Sequence, residues 1–333
     1  MTHSKSILIG CIWILVALGC TKDDTTVPLG PETIPTVKEA ATYTVSRTSG
    51  ITYAEGLSHT TWNSASTTIM ALKLDLYVPQ NSAINRPALV LIHGGGLNGG
   101  SRTNTNIVAM ADYFASRGWV VCSLDYRLRG NKGTVPALWE QYAVAHLPQT
   151  EIVDALKIYP ANRDAKAAVR WLYANAENYH INTNFITAGG NSAGAFLSVT
   201  LGTTEAGDFT DELSLVDDPT LATTHLGQPS KIHTILDFWG SENYVRALEQ
   251  VYQIQRLDTN DAPILIAHGT ADAIVPFSNA VALQTTYQAT GVDYAFYTLQ
   301  DQEHEAWDAL IAGKTLSEVS FEFIAAQQAL IVE

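Results

Sequence analysis

Residues 184–195 read Asn-Phe-Ile-Thr-Ala-Gly-Gly-Asn-Ser-Ala-Gly-Ala, and the fold prediction starts from this stretch. Its first half is apolar and typical of a β-strand. The pentapeptide Gly190-Asn-Ser-Ala-Gly194 follows, and the residues after it predict a helix. Strand, sharp turn and helix together are the context in which a G-x-S-x-G pentapeptide presents a nucleophilic serine, here Ser192. The glycines suit such a turn because Cβ atoms beside the serine would collide with the strand and the helix. The alternative is a Gly-Ser-rich loop without chemistry, so the interpretation depends on residues elsewhere in the chain.

Length, composition and charge restrict the class of protein. The chain has 333 residues, of which 46% are hydrophobic and 16% are charged, which is enough for one large α/β domain. The formal net charge of −14 argues against a nucleic-acid-binding surface, and we expect it to serve solubility. The sequence leaves the oligomeric state open.

The N-terminus predicts an export signal rather than part of the fold. Lys5 precedes an apolar run over residues 7–18, which is too short to span a bilayer and typical of a signal-peptide core. The run ends in Leu15-Val-Ala-Leu-Gly-Cys20, which resembles a bacterial lipoprotein signal. The resemblance implies a signal peptide over residues 1–19, lipidation of Cys20, and membrane attachment through that lipid alone. An ordinary secretory signal with an incidental cysteine is the alternative.

The residues after Cys20 refine this expectation. Lys22-Asp-Asp24 resembles a signal that places lipoproteins on the outer cell surface, which implies a protein anchored to the bacterial outer membrane and exposed outside the cell. Residues 20–41 are rich in Thr, Pro and acids and predict a flexible tether. The catalytic domain is then expected over residues 42–333. Cys122, the remaining cysteine of the mature chain, lies in an apolar run and is expected to be an inert core residue.

Within this domain, predicted strands alternate with predicted helices. Two runs, at 88–92 and 263–268, are continuously apolar, as strands buried on both faces require. This alternation predicts an α/β fold with a mostly parallel central sheet of about eight strands flanked by helices, with ligands bound beyond the carboxyl ends of the strands. The predicted strands cover 43–53, 70–78, 88–92, 119–124, 184–189, 232–238, 263–268 and 292–299. The predicted helices cover 105–117, 163–179, 195–202, 278–290 and most of 306–330.

A glycine run directly after the strand at 88–92 is the first candidate partner of Ser192. In His93-Gly-Gly-Gly96 the backbone is free of side chains, so we predict that the N–H groups of Gly95 and Gly96, with that of Ala193, form an oxyanion hole. The same stretch also satisfies G-x-G-x-x-G, the dinucleotide fingerprint. No helix opens at Gly99 and no acidic residue ends a strand at the right distance, so this alternative ranks far behind.

An acid and a base complete the set. Asp272 follows the buried strand at 263–268, and His304 lies in the loop after the last predicted strand. The chain order serine, acid, histidine is the order that an α/β-hydrolase requires. We therefore predict that Ser192 is the nucleophile, His304 the general base and Asp272 the residue that orients the base. Four other acids near His304 in sequence are alternatives for the last role: Asp293, Asp301, Glu303 and Glu305.

From about residue 42 to the end, the chain resembles the α/β-hydrolase superfamily, and within it the bacterial esterase/lipase group related to hormone-sensitive lipase and to feruloyl and acetyl-xylan esterases. It departs from the pattern at Asn191, where many members have Asp or Glu, and at Ala195, where glycine is usual. The resemblance implies a serine carboxylesterase acting through an acyl-enzyme, without cofactor or metal, on small or polymer-linked esters such as plant-polysaccharide acetyl or feruloyl esters. The matching stretches are 74–79, 93–96, 125–128, 164–172, the pentapeptide and 268–276.

Two further stretches are candidates for binding, one for substrate and one for calcium. Residues 129–163 predict a small cap or partial lid that includes Trp139, and we predict substrate contacts from Leu97, Trp139 and Trp239. The acidic residues between 205 and 218 lack the spacing of a calcium loop, and a solvated surface is expected there.

Two other functions stay open. One is a serine peptidase of the same fold, for whose usual gating domain we find no residues here. The other is a non-catalytic surface binding lipoprotein.

Overall fold

A mixed sheet of eight strands forms the centre of the computed structural model, which describes residues 33–333. The strands in chain order are β1 (Thr36–Val37), β2 (Val45–His59), β3 (Thr67–Pro79), β4 (Arg86–Ile92), β5 (Val120–Leu124), β6 (Ile181–Asn191), β7 (Thr234–Phe238), β8 (Ile264–Gly269), β9 (Tyr294–Leu299) and β10 (Ile331–Val332). The spatial order in the large sheet is β2-β3-β5-β4-β6-β7-β8-β9. In this sheet the β2–β3 and β3–β5 pairs are antiparallel and the other pairs are parallel, so the predicted architecture is confirmed.

Helices cover both faces of the sheet, which is why the central strand β4 is apolar from Ala88 to Ile92. Every residue of β4 from Ala88 to Ile92 has 0% exposure, as a strand enclosed on both faces requires. The helix α6 runs back from the end of β6 and packs on β6 and β7. The helices are α1 (Thr105–Ala115), α2 (Ala137–His146), α3 (Ile152–Leu156), α4 (Ile158–Ala174), α5 (Ala176–Tyr179), α6 (Ala193–Thr203), α7 (Asn243–Tyr252), α8 (Phe277–Thr290) and α9 (Leu316–Gln327).

The predicted helices at 163–179 and 306–330 differ from the observed ones. The first begins earlier, at Ile158, and is interrupted at Asn175. The second begins only at Leu316, because Thr315 caps it: its hydroxyl accepts from the Glu318 N–H while the Glu318 carboxylate accepts from the Thr315 N–H. A turn with Gly313 at φ +84° precedes this cap. Residues 306–315, which include the approach to the C-terminal helix, are therefore not helical.

The domain begins earlier than residue 42, so the predicted end of the tether at residue 41 is wrong. Strand β1 pairs in parallel with β10, and Val37 is completely buried. The Lys38 N–H also donates to the Arg117 carbonyl at 2.9 Å. Burial of Val37 and pairing with the chain's last strand outweigh the polar composition of this stretch. The predicted signal peptide, Cys20 and the start of the tether lie outside the described residues.

The acidic stretch at 205–218 is not a solvated surface throughout, which corrects that expectation. Asp218 is fully buried and forms an ion pair with Arg163, and Asp208 is nearly buried and accepts from Arg256 at 2.6 and 2.9 Å. These charges pair with arginines of α4 and of the loop after α7. Phe209 and Leu213 of the same stretch are buried in a hydrophobic cluster with Trp139 of α2.

Two further features are the state of the Cys122 thiol and the hydropathy of the helices. Cys122 is buried and unpaired, and burial raises the pKa of its thiol to about 12, as expected of an unreactive core cysteine. None of the helices between residues 33 and 333 combines the length and the hydropathy that a bilayer span requires.

Candidate active site

Ser192 lies at a strained turn between β6 and α6. Its backbone has φ +51° and ψ −124°, a conformation that non-glycine residues rarely adopt. The Ser192 N–H donates to the carbonyl of Phe238 at 2.9 Å, which ties the turn to the end of β7. The side chain is thereby presented at the carboxyl end of the sheet, in the geometry of a nucleophile elbow.

The two glycines of the pentapeptide are required by close packing against the end of β4. A Cβ atom at Gly190 would lie 2.3 Å from the carbonyl oxygen of Ile92, and one at Gly194 would lie 2.0 Å from the same atom. Both distances are far shorter than any real contact. A Cβ atom at Gly190 would also lie 2.8 Å from the carbonyl carbon of Gly194 in α6, which is the collision within the elbow that the sequence analysis predicted.

The structure brings Ser192, His304 and Asp272 together. His304, in the loop between β9 and α9, places Nε2 at 3.0 Å from the Ser192 Oγ and Nδ1 at 2.7 Å from the Asp272 Oδ2. Because a carboxylate only accepts hydrogen bonds, the proton of the neutral imidazole lies on Nδ1. The lone pair of Nε2 then faces the serine hydroxyl, which is the arrangement of a general base and its nucleophile.

The Asp272 carboxylate is held by several donors at once. Its Oδ1 accepts from the N–H groups of Ile274 and Val275 at 2.8 and 2.9 Å, and Oδ2 faces both His304 and the Nε2 of His268, the latter at 3.3 Å. Burial opposes its ionisation, but the hydrogen bonds from His304 and from the two amides outweigh burial and lower the pKa of Asp272. A fixed, ionised carboxylate is what orienting an imidazole requires.

The four alternative acids do not take this position. All lie in the part of the chain that the structure describes, and none of them forms a hydrogen bond with His304 there. Glu305, directly after His304 in sequence, instead accepts from the side chains of Asn191 and Trp307. The Asp301 carboxylate accepts from the Gln300 amide at 2.7 Å.

The glycine run lies beside the elbow, since a Cβ atom at Gly94 would lie 3.1 Å from the Ser192 Cβ. Gly95 and Gly96 are exposed and have φ of +108° and +60°, which only glycine adopts easily, and a Cβ atom at Gly95 would lie 2.3 Å from the Gly99 carbonyl. The N–H of Gly94 is used differently, since it donates to the Asn191 side chain at 3.0 Å. Ala193 is the first residue of α6, so its N–H has no acceptor within the helix.

A cavity of about 600 Å³ opens beside Gly96, within the usual range for a small-molecule site. Its walls come from the cap helices α2 and α3, from α7 and from Phe196 of α6. Trp139 is one of the wall residues although it is only 1% exposed, and its contact with substrate stays a prediction. The other aromatic walls are Tyr142, Phe196 and Tyr244, and the charged side chains are Glu151, Asp154, Lys157 and Arg246.

The prediction that Leu97 and Trp239 contact substrate is wrong, because both have 0% exposure. Leu97 belongs to a hydrophobic core cluster. Trp239 follows β7 with φ +46°, and its ring lies edge-on to His304 and to Trp307 at centroid distances of 6.3 and 5.2 Å. Its location beside the site therefore supports the histidine rather than a ligand.

Sequence reasoning missed Phe196 and Tyr244 as wall residues. Phe196 lies one helical turn after Ser192, so its spacing indicated the same face of α6. No local signal identified Tyr244, whose ring lies 4.8 Å from that of Phe196 and belongs to a separate helix. Between residues 33 and 333 no group of three or more His, Cys, Asp or Glu side chains is arranged to hold a metal ion.

An elbow serine, a histidine and an acid in this order on a mostly parallel sheet define the class of the protein as an α/β-hydrolase. The sequence model of the BD-FAE family, named for bifunctional feruloyl and acetyl-xylan esterases, matches residues 74–145 and 135–256, more than half of the chain. The chain belongs to the BD-FAE family of α/β-hydrolase esterases.

Individual relatives agree with this assignment. Esterase LipC of Mycobacterium tuberculosis is 24% identical, over 58% of this chain and 46% of LipC, so the chain spans about half the length of that relative. The butyrate-bound esterase Est2 of Thermogutta terrifontis superposes with a TM-score of 0.57 at 21% identity, covering 77% of this chain and 90% of Est2. A truncated carbohydrate esterase from gut microbiota gives a TM-score of 0.58 at 20% identity, covering 88% and 99%. At such identities the two structures show the shared fold.

Proposed function

We propose that this protein is a serine carboxylesterase whose nucleophile is Ser192. The observation that carries the proposal is the relay from Ser192 Oγ to His304 Nε2 at 3.0 Å and from His304 Nδ1 to Asp272 at 2.7 Å. Membership of the esterase family supports the reaction class.

The proposed reaction proceeds through an acyl-enzyme. His304 takes the proton of Ser192 as its Oγ attacks the ester carbonyl, and Asp272 stabilises the imidazolium that forms. The N–H groups of Gly95, Gly96 and Ala193 receive the oxyanion, and each such donor is typically worth about 3 kcal/mol of barrier. His304 then protonates the departing alcohol. Water, activated by the same histidine, hydrolyses the acyl-enzyme and releases the acid.

We propose acetyl and feruloyl esters carried on plant polysaccharide as the substrate class. The family is named for esterases of such esters, and one solved relative is named a carbohydrate esterase. The cavity beside Gly96 is flanked by Phe196, Tyr244 and Tyr142, which suit a flat phenolic acyl group, and its volume exceeds what acetate needs. The cavity is open to solvent, so the polysaccharide that carries the ester can stay outside it while the acyl group enters.

A comparison of the wild-type protein with Ser192→Ala tests the activity. We expect the wild type to hydrolyse p-nitrophenyl acetate, methyl ferulate and acetylated xylan, and the folded variant to lose at least about 10³-fold in kcat. A fluorophosphonate probe should label the wild type at Ser192. Cleavage of aminoacyl-p-nitroanilides in preference to esters would indicate a peptidase, and a wild type that neither labels nor turns over would indicate a binding protein.

We propose separately that the protein is a lipoprotein anchored to the outer membrane through Cys20 and exposed at the cell surface. The support is the sequence from Leu15 to Asp24, which resembles a lipoprotein signal followed by a surface-targeting signal. Cys20→Ala should move the protein from the membrane fraction to the soluble fraction, while the matched control Cys11→Ala should stay in membranes. An unmodified mature N-terminus at another residue, found by mass spectrometry, would refute the anchor.

A further inference from the structure

The side chain of Asn191, directly before the nucleophile, connects three separate segments of the site. Its Oδ1 accepts from the Gly94 N–H at 3.0 Å, and its Nδ2 donates to the Glu305 Oε1 at 3.0 Å. The residue is 1% exposed. One buried amide therefore links the glycine run, the elbow and the loop that carries His304.

The two contacts require both the oxygen and the NH₂ group of an amide side chain. Gly94 presents a donor and Glu305 presents an acceptor, so the side chain between them must accept on one side and donate on the other. Aspartate can satisfy only the first contact. The fit is also tight, because a Cβ atom at Gly94 would lie 2.6 Å from the Asn191 Nδ2.

Glu305 also forms a hydrogen bond with Trp307, which lies in the same loop as His304. It has φ +66°, and its second carboxylate oxygen accepts from the Trp307 Nε1 at 2.8 Å. Trp307 in turn packs edge-on against Trp239, whose ring lies beside His304. Glu305 is therefore connected, through Trp307, to the pair of tryptophan rings that lies beside His304.

We infer that Asn191 and Glu305 are a matched pair of positioning residues, which hold the His304 loop and the glycine run in register with Ser192. The inference rests on the proposed function, since it concerns how that site is assembled. The pair lies outside the walls of the cavity, so it controls the alignment of reacting groups rather than the binding of substrate. Its loss is expected to lower kcat and to leave KM nearly unchanged.

An exchange of the two polar groups tests the pairing. Asn191→Asp keeps the acceptor for Gly94 but sets two carboxylates against each other, and we expect kcat to fall about 10- to 100-fold. Glu305→Gln turns one amide donor towards another donor, either that of Asn191 or that of Trp307, and should cost about 3- to 10-fold. The double variant restores every contact: the introduced aspartate accepts from Gly94 and from the introduced glutamine, whose oxygen accepts from Trp307. We expect its kcat to return to within about 3-fold of the wild type.

Controls separate alignment from folding and from the proposed function. Glu303→Gln, in the same loop, should keep the wild-type kcat. Glu305 is exposed, so Glu305→Ala should still fold, with a Tm lowered by only a few degrees for the unpaired Asn191 amide, and should lose about 10-fold in kcat. The rate of fluorophosphonate labelling of Ser192 should follow the same order of variants, even if the wild type turns over none of the esters supplied. A double variant no faster than Asn191→Asp, or Glu305→Ala with full kcat and labelling rate, would overturn the inference.

Discussion

Asp272→Asn should disable the protein through the tautomer of His304. The amide oxygen of the new side chain must stay at the Oδ1 position, because the N–H groups of Ile274 and Val275 both point there at 2.8 and 2.9 Å. The NH₂ group is then forced to the Oδ2 position, 2.7 Å from the His304 Nδ1. A donor at that position makes Nδ1 the acceptor and moves the imidazole proton to Nε2. His304 then has no lone pair for the Ser192 hydroxyl.

The size of the effect follows from this geometry. The same replacement in a serine protease, which also yields the wrong tautomer, lowers kcat about 10⁴-fold, or about 5 kcal/mol of barrier. We expect a comparable loss here because the two amides allow no other orientation of the asparagine. The assay is kcat for p-nitrophenyl acetate at about pH 7, with Ser192→Ala as the background rate. The Tm of the variant reports whether the fold is intact.

Matched variants in the histidine loop show whether the effect is specific to Asp272. Asp301→Asn and Glu303→Gln remove charges that lie much closer to His304 in sequence than Asp272 does, and each variant should lose less than about 3-fold in kcat. If Asp272→Asn retained near-wild-type kcat while one of these loop variants lost most of it, the assignment of the acid would be wrong. The serine–histidine pair would stand in that case.

Three other changes test the oxyanion loop, a buried carboxyl group and a buried ion pair. Gly95→Ala should lower kcat at least about 10²-fold, since its Cβ would meet a carbonyl at 2.3 Å, whereas Gly99→Ala, which meets nothing within 4 Å, should retain activity in the same assay. Burial raises the pKa of Asp237 to about 7 from an unfolded value of about 4, so the folded state loses up to about 4 kcal/mol of stability as pH rises between these values. Asp237→Asn should therefore be more stable than the wild type at about pH 8, with the difference vanishing near pH ~4 in urea unfolding; an equal difference at both pH values would contradict the reasoning. Asp164→Asn breaks a completely buried pair with an arginine and should cost about 3–5 kcal/mol in the same measurement, against less than about 1 kcal/mol for Asp112→Asn in an exposed pair.

Structural features that depend on residues close together in the chain could be predicted from the sequence. The pentapeptide around Ser192 predicted the elbow because strand, glycines and helix are all local. The apolar run at 88–92 predicted a strand enclosed on both faces, and β4 is one. The capping box at Thr315 and Glu318 is equally local and marks the start of α9 in the sequence.

The fold class, the elbow and the residue types at the strand ends follow from the sequence alone, because these features depend on neighbours within a few positions. Three others required the packed chain: that none of the alternative acids bonds to His304, which aromatic residues line the cavity, and that Val37 joins the domain. Asn191 illustrates the reason, since its two partners lie 97 and 114 positions away in the chain. Contacts over such separations are created by the packing of strands and loops, which leaves no period or spacing in the sequence. The predictions for Trp239 and Leu97 were wrong for the same reason, since neither a position at the end of a strand nor one after the glycine run reveals whether a side chain faces the cavity or the core.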